Sequence, residues 1–293
     1  MKIQRTAEER VFEYINGFLL FLVMFVCLYP MIHIIAASFS DATRIVSHRG
    51  LLFWPVGYSV EAYSLVFANR WITSGYLNTM FYVLVGTTLN VVLTVVAAYA
   101  LSREGNRIRN IVMLMITFTM YFNGGLVPTY MLINNLGLAN TRWVLIIPGA
   151  VSAYNLIVAR TFFAGIPVAL EESAKIDGAN DFQVLWKIYA PLAKPIIAVL
   201  TLFYGVGHWN AWFNASLYIQ DRSLLPLQVF LREILIQNST QNMTTSIDNV
   251  DKMMVGETVK YATIVVATVP ILILYPFLQK YFVKGVMIGS IKG

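Results

Sequence analysis

Residues 164–195 read AGIPVALEESAKIDGANDFQVLWKIYAPLAKP, and their punctuation is that of two short helices meeting at a corner. Pro167 suits a first helical turn, where a missing N–H has no partner to lose. Glu171 and Glu172 follow early, where negative charge complements the helix dipole. Gly178 is placed to close this helix in the left-handed conformation. Asn180 can cap a second helix, with Gln183 three residues on as its reciprocal partner. Phe182, Leu185, Trp186 and Tyr189 then recur at i, i+3, i+4 and i+7, which predicts one large apolar face. Ala190-Pro191 predicts its end.

On either side of this corner the chain is apolar. Of 293 residues, 58% are hydrophobic and 12% charged, and the mean hydropathy is +0.65. A soluble domain is about 25% charged, so the composition belongs to a protein whose solvent is largely lipid. Crossing about 30 Å of hydrocarbon takes roughly 20 apolar residues in a helix. Six stretches qualify: residues 17–37, 76–101, 111–133, 143–163, 195–218 and 261–279. In lipid every backbone amide must be bonded within its own segment, so each is expected to be helical. The fold class is therefore an all-α integral membrane protein with six transmembrane helices. The first run is longer than the apolar part of a leader and closes without a small-x-small site, so it is expected to be a retained span.

The corner sits after the fourth span. Residues 1–16, 102–109, 160–194 and 280–293 carry 13 of the 21 lysines and arginines, and this bias predicts that both termini and the corner are cytoplasmic. The expected organisation is a tail over residues 1–16, a six-span domain over 17–283 and a second tail over 284–293. Residues 50–60 (GLLFWPVGYSV) and 223–231 (SLLPLQVFL) are apolar but too short to span, and are expected at the interface or beneath the outer mouth. Residues 237–249 read as a polar loop.

Several kinds of chemistry have no residues to perform them. Cys27 has no partner for an internal disulfide, and His33, His48 and His208 lack metal-ligand spacing, so no metal site is expected. The net charge of +6 lies between apolar runs, which gives no footprint for nucleic acid. There is no G-x-x-x-x-G-K-[ST] loop to cradle nucleotide phosphates. Nor is there a G-x-S-x-G elbow, an H-E-x-x-H pair or a carboxylate dyad within a span, so the chain is expected to be non-catalytic. An ion-coupled secondary transporter is the alternative class. It usually needs an ionisable residue within a span, and with no Asp or Glu at the span centres only His33 and His208 could serve.

The spacing across the corner carries a resemblance. Glu172-Ser173-Ala174, then Gly178 six residues after the glutamate, then Ile188 and Pro191 resemble the EAA loop of ABC importer permeases: E-A-A, three residues, G, nine residues, I-x-L-P, here within residues 167–191. Ser173 replaces the first alanine and Ala190 the leucine, both small residues. Asp177-Gly178-Ala179 is similar to the form common in sugar importers. Further segments resemble the second permease subunit of maltose-type carbohydrate importers: Asn78-Thr79, Ala98-Tyr99-Ala100-Leu101-Ser102-Arg103, Arg160-Thr161-Phe162-Phe163, Trp209-Asn210 and Tyr281-Phe282-Val283-Lys284-Gly285. The run GGLVPTY over residues 124–130 resembles the branch that imports oligosaccharides of plant and algal polysaccharides, pectin- or alginate-like.

This resemblance implies a type I ABC importer permease fold with cytoplasmic coupling helices, in a bacterial inner membrane. It implies as partners a second homologous permease, two ATPase subunits and an extracytoplasmic solute-binding protein. It implies no cofactor on this chain, with ATP and Mg held by the ATPases. It assigns ATPase coupling to Glu172, Ser173, Ala174, Asp177, Gly178, Ala179, Phe182, Leu185, Trp186, Ile188 and Pro191, with Phe182, Leu185 and Trp186 packing the loop to its neighbours. In such families the C-terminal tail can reach between the ATPases.

Sugars are held by hydrogen bonds to hydroxyls and by stacking on rings. The in-span amides and rings that could line a sugar path are Asn90, Tyr99, Tyr121, Asn123, Tyr154, Asn155, His208, Trp209, Asn210 and Asn214. Hydrogen bonding between helices is the plainer role for each. Gly149, Gly205 and Gly207 read as sites of close helix packing. Arg44, Arg49, Arg70 and Lys252 on the outer segments suit an acidic sugar, or are simply solvated charge.

Overall fold

The computed structural model describes residues 7–103, 108–236, 256–273 and 276. In chain order its helices are α1 (Ala7–Ser38), α2 (Ala42–Ser47), α3 (Glu61–Ala68), α4 (Arg70–Ser102), α5 (Arg109–Tyr121), α6 (Leu126–Asn135), α7 (Ala153–Ala164), α8 (Ala169–Ile176), α9 (Asp181–Leu192), α10 (Lys194–Trp209), α11 (Phe213–Tyr218), α12 (Leu227–Ile236) and α13 (Gly256–Ile273). No strand occurs among the described residues beyond an antiparallel bridge between Ser40 and Tyr58. Helices α1, α4 and α13 are each long and apolar enough to cross a membrane unbroken. Three more candidates are bent pairs: α5 with α6 at 117°, α7 with α8 at 72°, and α9 with α10 at 84°. Counting each pair once gives up to six spans.

By contacts the chain divides into two compact units, Met1–Arg70 with Leu231–Val269, and Trp71–Phe230 with Pro270–Gly293. In the first unit, residues 11–28 of α1 are exposed all round, as suits a helix whose surroundings are lipid. Its far end is closed by the 50–60 segment: Leu52 is buried with Ala36 and Ala37. Ser40 Oγ donates to Ala36 O (2.7 Å) and accepts from Val56 N (3.0 Å). Residues 7–16, expected as a tail, continue α1 as helix, because this stretch contains no proline or glycine to break it.

The second unit is organised by α4, α7 and α10, which pack around Val95, Ala98, Leu156, Ala159, Ile196 and Leu200. Polar side chains of α4 fix what lies beyond its N-terminal half. Asn78 Nδ2 donates to Ser223 O (2.6 Å) and Leu225 O (3.1 Å), and Tyr82 Oη to Leu224 O (2.7 Å). Thr79 Oγ1 accepts from Leu227 N (2.9 Å), and Arg142 Nη2 donates to Asn78 Oδ1 (3.0 Å). The 223–231 segment is thus tied to the span by its own carbonyls, with Leu225, Leu227 and Phe230 buried.

Three expected spans differ from the structure. Residues 111–133 are not one helix: the chain turns at Gly125, which has φ +84°, and restarts as α6. Residues 143–163 are helical only from Ala153. Twelve residues of helix rise about 18 Å, short of the bilayer, and the apolar stretch before them is a 3-10 turn at Arg142–Leu145 followed by turns. Such backbone needs protein partners at membrane depth, and finds them in side chains: Asn90 Nδ2 donates to Gly149 O (3.3 Å) and Tyr204 Oη accepts from Ser152 N (3.0 Å). Residues 195–218 break after Trp209 and resume at Phe213. The close approaches to α4 fall at Gly75 and Gly86 rather than at the expected glycines. A β-carbon at Gly149 or Gly207 would meet nothing within 4 Å, and one at Gly205 only an ordinary 3.7 Å contact with Thr87 Oγ1.

Candidate functional site

The corner is built much as its punctuation requires. Helix α8 ends in paired hydrogen bonds, Gly178 N to Lys175 O (3.0 Å) and Ala179 N to Ala174 O (2.9 Å), with Gly178 at φ +82°. This is the Schellman arrangement, in which the residues at the two ends of the outer bond also make apolar contact. Ala174 and Ala179 hold those two places, and both pack against the main core. Their small size thus has a local cause. Helix α9 then opens with the reciprocal cap: Gln183 N donates to Asn180 Oδ1 (2.8 Å), and Asn180 N to Gln183 Oε1 (3.0 Å).

The expected single apolar face on α9 is divided. Leu185 and Tyr189 are buried, at 3% and 0% exposure, together with Val184, whereas Phe182 is 70% and Trp186 38% exposed. A π-helical turn over Leu185–Tyr189 widens the spacing here, and only the Leu185–Tyr189 half of the stripe meets the bundle. Within this chain Leu185 therefore packs the corner to the bundle, while Phe182 and Trp186 are left exposed. They stack edge-on with each other at 6.1 Å, and Ile176 on α8 is 86% exposed. Ile188 is half-buried against the core. Pro191 does not stop the helix but lies in its last turn, which runs to Leu192 before the 84° bend.

The two glutamates also separate. Glu172, Ser173 and Asp177 are exposed, whereas Glu171 is buried. Glu171 pairs with Arg103, just past the end of α4, and with Lys175 Nζ at 2.8 Å; Lys175 in turn reaches Asp181 Oδ1 at 3.1 Å. The Arg103 guanidinium lies 4.1 Å from the Tyr189 ring centroid and 4.6 Å from that of Tyr99. Arg103 and Glu171 are site residues that the sequence reading did not select. The available signal was helical phase: Glu171 is three residues before the core-facing Ala174 and shares its face, while Glu172 is turned about 100° away. A cavity of about 450 Å³ adjoins this pair, lined by Arg109, Arg160, Phe163 and Glu172 among others.

The candidate path residues scatter over several elements. Tyr121 and Asn123 lie at the break between α5 and α6, both exposed, where Asn123 Oδ1 accepts from Gly125 N (2.9 Å). Tyr154 is exposed and Asn155 buried on the first turn of α7. His208 and Trp209 are buried at the end of α10, His208 over Gly86 and Trp209 edge-on to Tyr76 at 5.8 Å. Asn210 and Asn214 are exposed. Asn90 serves backbone and Tyr99 lies under Arg103, so neither is presented to a passage. The motif at residues 281–285 and the tail 284–293 lie outside the described residues, as does the loop 237–249.

The described residues thus form helices that are candidate membrane spans, with a capped two-helix corner between α7 and α10. Residues 90–288 match the family described as binding-protein-dependent transport system inner membrane component, and the chain belongs to that family of permease subunits. It is 42% identical to the polygalacturonan/rhamnogalacturonan transport system permease protein YtcP of Bacillus subtilis (strain 168), over 98% of this chain and 100% of the relative. It is 39% identical to protein LplC of the same organism, over 99% and 98% of the two chains. Among solved structures it is similar to a chain in the crystal structure of a bacterial ABC transporter involved in the import of the acidic polysaccharide alginate. That match has a TM-score of 0.88 and 34% identity, and covers 96% of this chain and 100% of that one.

Proposed function

We propose that this chain is one of two related permeases in an ATP-driven importer of acidic oligosaccharides. A binding protein would deliver the sugar from outside, and two ATPase subunits, holding ATP and Mg, would dock on the inner face. The observation that carries the reading is the divided corner: Leu185 and Tyr189 bury it in the bundle while Ile176, Phe182 and Trp186 stay uncovered on the other side. One side anchors, and the other is free to receive a partner. Burying two such side chains contributes about 1.5 to 3 kcal/mol each, an attachment firm enough to carry force. Glu172, Ser173, Asp177 and Gly178 sit on the uncovered side with them.

The sugar class is supported by two relatives, one named for polygalacturonan and rhamnogalacturonan and one for alginate. Uronate polymers are common to both. In this reading both termini are cytoplasmic, residues 17–283 form the membrane domain with the coupling loop at 167–191, and Tyr121, Asn123, Tyr154, Asn155, His208, Trp209, Asn210 and Asn214 face or support the passage. The test is reconstitution with the three partner types and measurement of ATP hydrolysis. Uronate oligosaccharides should stimulate it more than neutral ones, and Gly178→Pro or Glu172→Lys should abolish that stimulation while the chain still inserts. Preference for neutral sugars would remove the acidic substrate, and normal stimulation in both variants would remove the coupling role.

A further inference from the structure

The coupling corner is covalently continuous with α7 and α10, yet its only buried charge points elsewhere, to Arg103 at the end of α4. Resting on the importer reading above, we propose that Arg103 is a positioning residue that makes the second span move with the corner.

The pair is held from several sides. Glu171 is buried, so its charge depends on Arg103 and Lys175 rather than on water. The Arg103 guanidinium carbon lies over the rings of two tyrosines that themselves meet edge-on at 5.2 Å, one from α4 and one from α9. A guanidinium over an aromatic face gains from the ring's negative quadrupole, and its pre-organised planar fork loses less freedom on pairing with a carboxylate than an ammonium does. Phe163 of α7 stacks on Tyr189 from another side, at 5.9 Å. Arg160 Nε donates to Leu101 O (3.3 Å), tying α7 to the same end of α4. The corner thus grips α4 through one ion pair and one three-ring cluster. A pull on α8 or α9 then reaches α4 directly, without passing through the turn at Gly178 or the bend at Ala193.

This predicts a loss that a merely structural ion pair would not give. In reconstituted complex, Arg103→Gln and Glu171→Gln should each lower the sugar moved per ATP hydrolysed by about tenfold. A folding or docking defect instead lowers transport and hydrolysis together and leaves their ratio alone. Arg103→Lys, which keeps the charge and loses the guanidinium, should fall between. The double Gln variant should lose no more than either single one, because the two residues act as a unit. A wild-type ratio in both single variants, or a double loss equal to the product of the two, would overturn the proposal. Should the variants fail to assemble, structures of the wild-type complex with and without ATP decide: the Arg103–Glu171 pair must be intact in both, and a pair broken in either state refutes it. If the wild type shows no ATP-driven uptake at all, the importer reading fails instead.

Discussion

The imidazole of His208 occupies the space that a β-carbon on Gly86 would need: such an atom would lie 2.5 Å from Nε2 and 2.7 Å from Cε1. Gly86 closes a π-helical turn, Tyr82–Gly86, in the middle of α4, and the absent side chain lets α10 come against it. Gly86→Ala should therefore lower stability by about 1 to 3 kcal/mol, read as a lower thermal unfolding midpoint in detergent. Adding His208→Ala should recover much of that loss. Equal midpoints for Gly86→Ala and wild type would show that the ring has room to move.

The two halves of the α9 stripe should respond differently. Leu185→Ala removes a buried side chain and should cost about 2 to 5 kcal/mol of stability. Phe182→Ala removes an exposed one and should leave the unfolding midpoint within about 0.5 kcal/mol, while weakening co-purification with the ATPase subunits. Measuring both properties on both variants separates anchor from contact.

Tyr204 Oη bonds Thr94 Oγ1 at 2.7 Å and accepts from Ser152 N at 3.0 Å. Tyr204→Phe leaves a span hydroxyl and a non-helical amide without that partner. The expected cost is about 1 to 2 kcal/mol, and faster amide exchange should appear at Ser152 before it appears in α7.

Asp41 caps α2, accepting from Thr43 Oγ1 (2.5 Å), Thr43 N (3.1 Å) and Arg44 N (3.1 Å). The Thr43 hydroxyl first, then the Arg44 amide, hold its carboxyl below the usual carboxylate range. A depressed value means that the cap is fully present above the ordinary carboxylate pKa and is lost as pH falls through the lowered one. Protection of the Thr43 and Arg44 amides, corrected for intrinsic exchange, should hold from about pH 7 down to the ordinary carboxylate range near about pH 4 and drop below it. Asp41→Asn should remove most of that dependence.

What the sequence made legible was local chemistry. The left-handed Gly178 and the Asn180–Gln183 box depend on neighbours in the chain, and both formed as read. Hydropathy marked the apolar runs, but not where the helix stops. An uncharged run over 111–133 reads the same whether or not Gly125 turns it, and the stretch before Ala153 is apolar yet non-helical because Asn90 and Tyr204, distant in sequence, satisfy its backbone. Arg103 was visible as a basic residue ending a span and closing a segment of family resemblance, with nothing to say what it pairs with. Its partner, Glu171, is set by tertiary packing that chooses one of two adjacent glutamates.

The central claim is that the corner between α7 and α10 is the joint to a separate ATPase. Replacing Trp186 with a photo-crosslinking benzoylphenylalanine, in the complex carrying its binding protein and sugar, tests it at the uncovered face itself. The account predicts a covalent product with the ATPase subunit, identified by mass spectrometry, whose yield changes when ATP is added. Adducts to lipid alone, with no ATPase product in either nucleotide state, would contradict it.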